Sequence, residues 1–322
     1  MTYIEMDTRG YRTALSRLTR PSPNGSVNLE GLKLTVLPPI PETVTRLSCG
    51  YNQLTSLPEL HANLTTLSCT GNQLTELPSL DHTQLTELHC YQNQLTQLPA
   101  LPPTLRELAC NVNNLTSLPP LDHIHLVRLM CSANPLQELP NLPPTLESLF
   151  CGFTQLQRLP ALAHTRLRDL NCGETQITEL PPLPPTLQTI HCYGTPIARL
   201  PELPASLRFL TVDVETLIEP FRTYYTAFRQ TGNMQQLRNS IHTYYETLAK
   251  GRNIASLRQT LHRNQRLPQN IVAKVGSLLS GKRGTLNMQT TALRQNVGLQ
   301  GGKRKTHTNR RSKSKSRKQR RT

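Results

Sequence analysis

Residues 64–80 read LTTLSCTGNQLTELPSL, and residues 85–101 read LTELHCYQNQLTQLPAL. Both stretches follow one 17-residue pattern, L-x-x-L-x-C-x-x-(N/T)-x-(L/I)-x-x-L-P-x-L. A fixed pattern that returns after about 20 residues indicates a repeat architecture, in which each unit buries its apolar side chains against its neighbours. The repeat therefore decides the fold.

The cysteines mark the full extent of the repeat. They lie at Cys49, Cys69, Cys90, Cys110, Cys131, Cys151, Cys172 and Cys192, with spacings that alternate between 20 and 21 positions. A ninth unit carries Leu207, Leu210 and Val212, with Val212 in place of the cysteine. The alternating spacing makes the true module a pair of units, one short and one long.

This pattern resembles the leucine-rich repeat family, and the L-P-x-L-P stretches are similar to its short bacterial-effector subclass. The resemblance covers about residues 27–212. It implies an α/β repeat fold: a solenoid of short parallel strands with an extended, polyproline-like convex side, followed by a small helical region and a disordered basic tail. In such a repeat Leu47, Cys49 and their equivalents point inward, while each Asn of the pattern turns the chain and bonds neighbouring backbone groups.

Cysteine and histidine invite a metal-site interpretation, which the spacing disfavours. One thiol per unit differs from the paired C-x-x-C ligands of zinc sites, and free Cys is commonly a small buried hydrophobe. His82, His123 and His164 recur in every second unit, about 10 Å apart if coils stack at ~4.8 Å, which is too far to share one metal. We expect no cofactor and no metal, with redox or metal chemistry as the minor alternative.

The strand positions on either side of the inward leucine form the outward face of the sheet, the strand face, which is the concave surface of such a solenoid. Its residues change from unit to unit, as a surface free of core constraints allows. Apolar bulk near its middle beside charged residues is typical of a protein-binding hot spot with a polar rim, although single exposed apolar residues are normal on soluble proteins. The candidate protein-binding residues are Arg46, His89, Tyr91, Glu107, Arg128, Met130, Phe150, Phe153, Asp169, His191 and Tyr193.

Both ends of the solenoid need caps. Residues 3–19 are predicted to form a short helix, and Val27 and Leu29 a degenerate capping strand. After residue 212 helical spacing replaces the Leu-Pro pattern, which predicts three or four short helices across 215–296, ending at Gly232, Gly251 and Gly281. The domain organisation expected is an N-terminal helix and cap (1–33), repeats (34–212), a helical region (213–300) and a disordered basic tail (301–322).

The net charge of +16 is concentrated at the C-terminal end. Residues 1–212 hold 13 basic and 16 acidic side chains, residues 213–300 hold 12 and 4, and residues 301–322 hold 11 and none. Such a tail suits sequence-independent phosphate binding or nuclear import, and it is similar to the tails of many proteins from large DNA viruses. The cations concerned are Lys303, Arg304, Lys305, Arg310, Arg311, Lys313, Lys315, Arg317, Lys318, Arg320 and Arg321.

These features favour a non-enzymatic protein-binding module with an unknown protein partner. The chain lacks a phosphate-binding glycine loop and the HExxH and GxSxG motifs, and no cysteine follows Cys192 that could form a thioester. The alternatives are a nucleic-acid-associated or virion structural protein that uses the basic helices and tail, and an effector or ubiquitin-pathway adaptor that acts through partners. With no long apolar run and no N-terminal hydrophobic segment, the expected location is intracellular, in cytoplasm or nucleus (of the host cell, if viral), without membrane contact.

Overall fold

The computed structural model of the protein describes residues 9–263, and the side chains of residues 9–252. The chain divides into two compact units, Met1–Arg252 and Asn253–Thr322. The first contains every strand, the first two helices and most of the third. The second contains the last turns of the third helix, and the basic tail lies outside the described residues.

Ten short strands form a single parallel sheet whose spatial order is the order of the chain. They are β1 (Ser26–Asn28), β2 (Arg46–Ser48), β3 (Thr66–Ser68), β4 (Glu87–His89), β5 (Glu107–Ala109), β6 (Arg128–Met130), β7 (Ser148–Phe150), β8 (Asp169–Asn171), β9 (Thr189–Cys192) and β10 (Phe209–Val212). The predicted solenoid of parallel strands is thereby confirmed, including the capping strand at residue 27 and the ninth repeat, which forms β10.

The register of the strands follows from the repeat pattern. Leu47 lies opposite Leu67 and Leu67 opposite Leu88, so the inward leucines stack along the sheet. Because side chains alternate across a strand, the residue two positions later is also inward. Cys49 and Cys69 accordingly have no exposed surface, and all eight cysteines are buried and unpaired. The interior is thus an aliphatic stack with a ladder of thiols.

The predicted role of the asparagines is confirmed. Asn113 donates from Nδ2 to the carbonyls of Cys90 and Cys110 (3.1 Å each) and Asn111 (3.3 Å). Its Oδ1 accepts a hydrogen bond from the backbone N–H of Leu95 at 3.0 Å. One side chain therefore ties two coils together and satisfies backbone groups that the short strands leave without partners.

From the sixth repeat, threonine replaces asparagine and makes a smaller set of bonds. Each hydroxyl donates to the cysteine carbonyl three residues earlier, at Thr154 (2.8 Å), Thr175 (2.9 Å) and Thr195 (2.5 Å). The turn is still held locally, but the hydroxyl does not reach the preceding coil as the longer amide does.

No helix lies between β1 and β10 in the described chain. Proline, which lacks a backbone donor and disfavours helix, accounts for the absence of helix from the return segments. Two of the recurring histidines have a structural role: Nε2 of His82 lies 2.6 Å from the carbonyl of Leu60, and Nε2 of His164 lies 2.8 Å from that of Leu142.

At the front, helix α1 (Arg9–Leu18) covers the first coil. Ala14 and Leu18 are buried against it. Gly10 allows the close approach, because a Cβ there would lie 2.2 Å from the carbonyl oxygen of Leu32. The predicted N-terminal helix is confirmed for residues 9–18, and the first part of the prediction, 3–8, lies outside the described residues.

Behind the repeats lie α2 (Phe221–Thr231) and α3 (Met234–Arg263). Gly232 ends α2 as predicted, with a φ of 66° and a hydrogen bond of 2.7 Å from its N–H to the Phe228 carbonyl. The prediction that Gly251 ends a helix was wrong. It lies inside α3, so two of the predicted short helices are one 30-residue helix. Glycine permits a left-handed helix end without requiring one, and its usual helical cost is only ~1 kcal/mol. Gly281 lies outside the described residues.

Helix α2 and the first turns of α3 close the last coil. The Tyr225 hydroxyl donates to the Leu210 carbonyl at 3.1 Å and accepts from the Val212 N–H at 3.2 Å, satisfying the outer edge of β10. Tyr245 donates to the Leu200 carbonyl at 2.8 Å. Phe221 is fully buried beneath them. Tyr225 and Tyr245 thus serve to pack the two helices against the last coils.

Candidate functional site

The structure places the predicted binding residues on the strand face or at its edge. Each strand of the repeats has a buried middle residue between two residues that, except for the small Ala109, keep exposed surface. Arg46, Glu107, Arg128 and Asp169 occupy the first strand position; His89, Met130, Phe150 and His191 occupy the third; Tyr91, Phe153 and Tyr193 lie just beyond the third.

Charged residues in the first half of the strand face are paired with one another. The Arg128 guanidinium donates to the Glu107 carboxylate, with Nε at 2.8 Å, and this contact raises the pKa of Arg128. Nε2 of His89 lies 3.3 Å from the other oxygen of Glu107. Arg46 reaches Glu87 two strands away, at 3.7 Å. Because the Glu107 side chain is only 14% exposed, this network forms a fixed polar patch.

Apolar side chains lie on β6 itself and on the strands that follow it. Met130 and Phe150 are register partners on β6 and β7, and both keep part of their surface exposed. Phe153, three residues after Phe150, is 59% exposed. Tyr193 is 41% exposed at the corresponding edge of β9. The structure thus gathers the predicted apolar residues at the polar patch and along the edge beyond it.

Sequence reasoning missed a row of exposed residues at this edge. The second residue after each inward cysteine has a left-handed backbone, including Tyr51 (φ 53°) and Val112 (φ 54°). Both side chains are about half exposed. Gly71 and Gly194 occupy the same position in other repeats. The two glycines were the signal in the sequence that could have revealed this row, since glycine is favoured where the backbone has a positive φ.

Tyr51 uses the space that one of these glycines leaves. A Cβ at Gly71 would lie 2.8 Å from the Tyr51 ring, so the ring lies directly over the glycine. A hydrogen bond with the Tyr91 side chain, one coil further on, raises the pKa of Tyr51. The two hydroxyl groups therefore lie close together at the N-terminal end of the edge.

Replacing Val112 by Asn is expected to stabilise the protein by about 1 kcal/mol. Val112 has a φ of 54°. A branched side chain in this left-handed conformation is strained by roughly 1–2 kcal/mol, whereas Asn tolerates it well. Guanidinium denaturation measures the change. Val112→Thr retains the branching and shape of valine and is the matched control. Equal stability of the Asn and Thr variants would contradict the strain argument.

The buried thiols offer no reactive nucleophile. Desolvation raises the pKa of Cys49 and of Cys172 to about 12, and it raises the others well above their usual value. Among the described residues, no group of three His, Cys, Asp or Glu side chains is arranged to hold a metal ion. Within the same part of the chain, no helix has the length and apolar character needed to cross a membrane.

Comparison with known proteins identifies the repeats. The family model for two copies of a leucine-rich repeat matches residues 62–103. The leucine-rich effector protein YopM from Yersinia pestis is 32% identical, with a TM-score of 0.55 over 65% of this chain and 66% of the YopM chain. No curated protein sequence matches the chain.

Two further solved structures are similar. YopM from Yersinia enterocolitica WA-314 is 33% identical over 56% of this chain and 44% of its own, with a TM-score of 0.47. The functional domain of InlJ from Listeria monocytogenes, which includes a cysteine ladder, is 23% identical over 59% and 53%, with a TM-score of 0.48. This chain spans less than two thirds of each of these three structures.

These relatives are bacterial, and the similarity of the basic tail to viral proteins stays a prediction. The repeat pattern, the stacked parallel strands and the matched family model all agree on the class of protein. The chain therefore carries leucine-rich repeats, and these are similar to the repeats of bacterial effector proteins.

Proposed function

We propose that the strand face captures a protein partner. The observation that carries the proposal is the pair Met130 and Phe150, which lie side by side on adjacent strands with exposed surface beside the Glu107–Arg128 ion pair. Apolar side chains ringed by polar groups are the usual composition of a binding hot spot. These side chains are not needed for the core, since the buried leucine and cysteine stack already fills it.

The class of fold supports the same function. Leucine-rich repeat solenoids of the effector type are typical protein-interaction modules, and such domains generally lack enzymatic activity. The polar patch around Glu107 would orient the bound partner, because mutual contacts hold its charged side chains in place before any partner binds. A partner that pairs with this patch loses less side-chain entropy than it would against mobile charges.

Replacing Met130 and Phe150 together by alanine is expected to weaken partner capture by about tenfold or more. This is roughly the effect of removing one or two hot-spot residues from an interface. Thermal stability should change little, because both side chains are partly exposed. The measurement is affinity capture from cell extract by wild-type and variant chains, quantified by mass spectrometry. Gln157→Ala, an exposed residue on the return segment that follows Phe150 in the same repeat, is the control. Capture that is indifferent to both alanines would refute the proposal.

We propose further that the basic tail binds nucleic acid or acts as a nuclear-import signal. The support is compositional: 11 cations and no acid in residues 301–322. Counterion release makes such binding strong, independent of sequence and sensitive to salt. Ser312, Ser314 and Ser316 lie between the cations, and phosphorylation there would oppose the binding. The alternatives are a nucleic-acid-associated or virion structural protein, which would act through the basic helices and the tail, and an effector or ubiquitin-pathway adaptor, which would act through its partners.

Deleting residues 301–322 separates these functions. We expect DNA and RNA binding at low salt to fall by at least about tenfold, while protein capture by the strand face is retained. Electrophoretic mobility shift at two salt concentrations measures the first, and affinity capture the second. Salt-sensitive binding that survives the deletion would assign it to the basic helical region. Loss of all captured proteins with the tail would remove the support for the strand face.

A further inference from the structure

The two ends of the strand face differ in whether their carboxylates form ion pairs. In strands β2–β6 the glutamates pair with arginines of the same face. Within the described residues, the carboxylates of Asp169 and Glu174 have no hydrogen-bonding or ionic partner. The neighbouring cation Arg168 is directed to Glu147 instead, at 3.6 Å. The coil of β8 therefore presents two uncompensated negative charges.

Aromatic side chains stand next to these charges. On the adjacent strand β7, Ser148 lies opposite Asp169, and Phe150, two positions further along, lies diagonal to it on the same face. Phe153 lies in the coil before Glu174, at the same left-handed position, and Tyr193 lies in the coil after it. A Cβ at Gly173 would lie 3.0 Å from the Tyr193 ring, so that ring bends back over the coil of β8. Each carboxylate thus has aromatic surface within one coil of it.

We propose that this group, the acidic–aromatic patch (Phe150, Phe153, Asp169, Glu174 and Tyr193), binds a partner segment that carries two basic side chains. The inference rests on the proposed function and specifies the chemistry of the partner. An arginine or lysine beside an aromatic ring and a carboxylate gains both a cation–π contact and an ion pair. The patch supplies that combination twice, with Phe150 and Asp169 on the face and with Phe153, Tyr193 and Glu174 at the edge.

The spacing of the two carboxylates sets the spacing of the cations. Asp169 begins β8 and Glu174 follows its end with a left-handed backbone. Fully extended chain between them would take about five steps of ~3.3 Å, and the turn at Glu174 shortens this to roughly four steps, or about 13 Å. The partner is therefore expected to present basic residues at positions i and i+4 of an extended stretch. Apolar residues between them would suit the exposed faces of the rings.

Defined peptides test this without knowledge of the natural partner. The probe is fluorescein-labelled Gly-Arg-Leu-Ser-Leu-Arg-Gly, and its control carries citrulline, which is neutral and nearly isosteric, in place of both arginines. With the full chain at physiological salt, fluorescence anisotropy should show the arginine peptide binding at least about tenfold more tightly than the citrulline peptide. In the double variant Asp169→Asn with Glu174→Gln the two peptides should bind alike. The variant with alanine at Phe153 and Tyr193 should lose affinity for the arginine peptide.

All variants keep the basic tail, so non-specific effects of the tail cancel in the comparison. Their thermal unfolding should match that of the wild type, because none of the replaced residues is buried. Equal binding of the arginine and citrulline peptides to the wild type, or no binding of either, would overturn the inference. The proposed function has its own test, because it is refuted if the alanine variants of Met130 and Phe150 capture protein as well as the wild type does. If capture depends on these residues but the peptides show no preference for arginine, only the inference of a basic partner is rejected.

Discussion

Raising the pH from about 7 to about 11 is expected to unfold the protein, and ionisation of the buried cysteine ladder alone is enough to do so. Burial raises the pKa of all eight thiols far above that of an exposed cysteine, near ~8.5. Above that pH the unfolded chain releases thiol protons that the folded chain retains, so stability falls as the pH rises. Above the pKa of the unfolded thiol, each cysteine lowers the stability by about 1.4 kcal/mol per pH unit, and the eight together lower it by about 11 kcal/mol per pH unit. That is comparable to the whole stability of a typical domain, roughly 5–15 kcal/mol.

Circular dichroism between about pH 7 and 11, under reducing conditions, should show a cooperative loss of structure with a midpoint between about pH 9 and 10.5. Replacing Cys131 and Cys151 by valine should raise this midpoint. Valine occupies the same position naturally at Val212, where it is 6% exposed. Burial also raises the pKa values of three tyrosines of the C-terminal helices, Tyr224, Tyr225 and Tyr245. These tyrosines add to the loss only above about pH 10. A chain that stays folded at about pH 11 with all cysteines present would contradict the desolvation argument.

Most of the solenoid could be predicted because the pattern of residues within one strand and the stacking of the coils lead to the same arrangement. The leucine at 47 and the cysteine at 49 are two positions apart on a strand, so both must face the same side. The repeat period then sets the register, since Leu47 can lie opposite Leu67 only if each unit forms one coil. The strand face follows from the same alternation. These predictions do not depend on the contacts between individual side chains.

The contacts within the strand face could not be predicted in that way. The sequence places Glu107 and Arg128 on neighbouring strands, but long side chains choose among several partners, and His89 also lies against Glu107. Whether Asp169 finds a partner depends on the direction of Arg168, which nothing in the repeat pattern specifies. The acidic–aromatic patch thus became visible only with side-chain positions.

Two further differences have a backbone origin. The left-handed position is held by glycine at 71 and 194 but by valine at 112, so residue type alone conceals a conformation that all eight cysteine-containing repeats share. Conversely, Gly251 suggested a helix end where the helix continues. A glycine permits a left-handed backbone without requiring it, and the surrounding bonds decide which conformation forms. Gly232 has such a bond, to Phe228, and α2 does end there.

Truncating Phe221 to alanine is expected to cost about 3–5 kcal/mol, the usual cost for a fully buried phenylalanine. Its side chain has no exposed surface. Its ring lies edge-on to Tyr244 with the centroids 4.8 Å apart, and it also contacts Tyr224 and Tyr245. These contacts join α2 to α3, and the joined helices close the last coil through the bond from Tyr245 to the Leu200 carbonyl. Loss of the ring therefore weakens the cap as well as leaving a cavity.

Because a solenoid is stabilised by contacts between neighbouring coils, this damage should be greatest at one end. Hydrogen exchange should accelerate most in β9, β10 and α2, and much less in β2–β5, while guanidinium denaturation reports the total loss. Phe209→Ala is the matched control, since that phenylalanine is 62% exposed on β10. Its replacement should cost under about 1 kcal/mol. Uniformly faster exchange along all ten strands would mean that the solenoid unfolds as one unit and that α2 is not a separate cap.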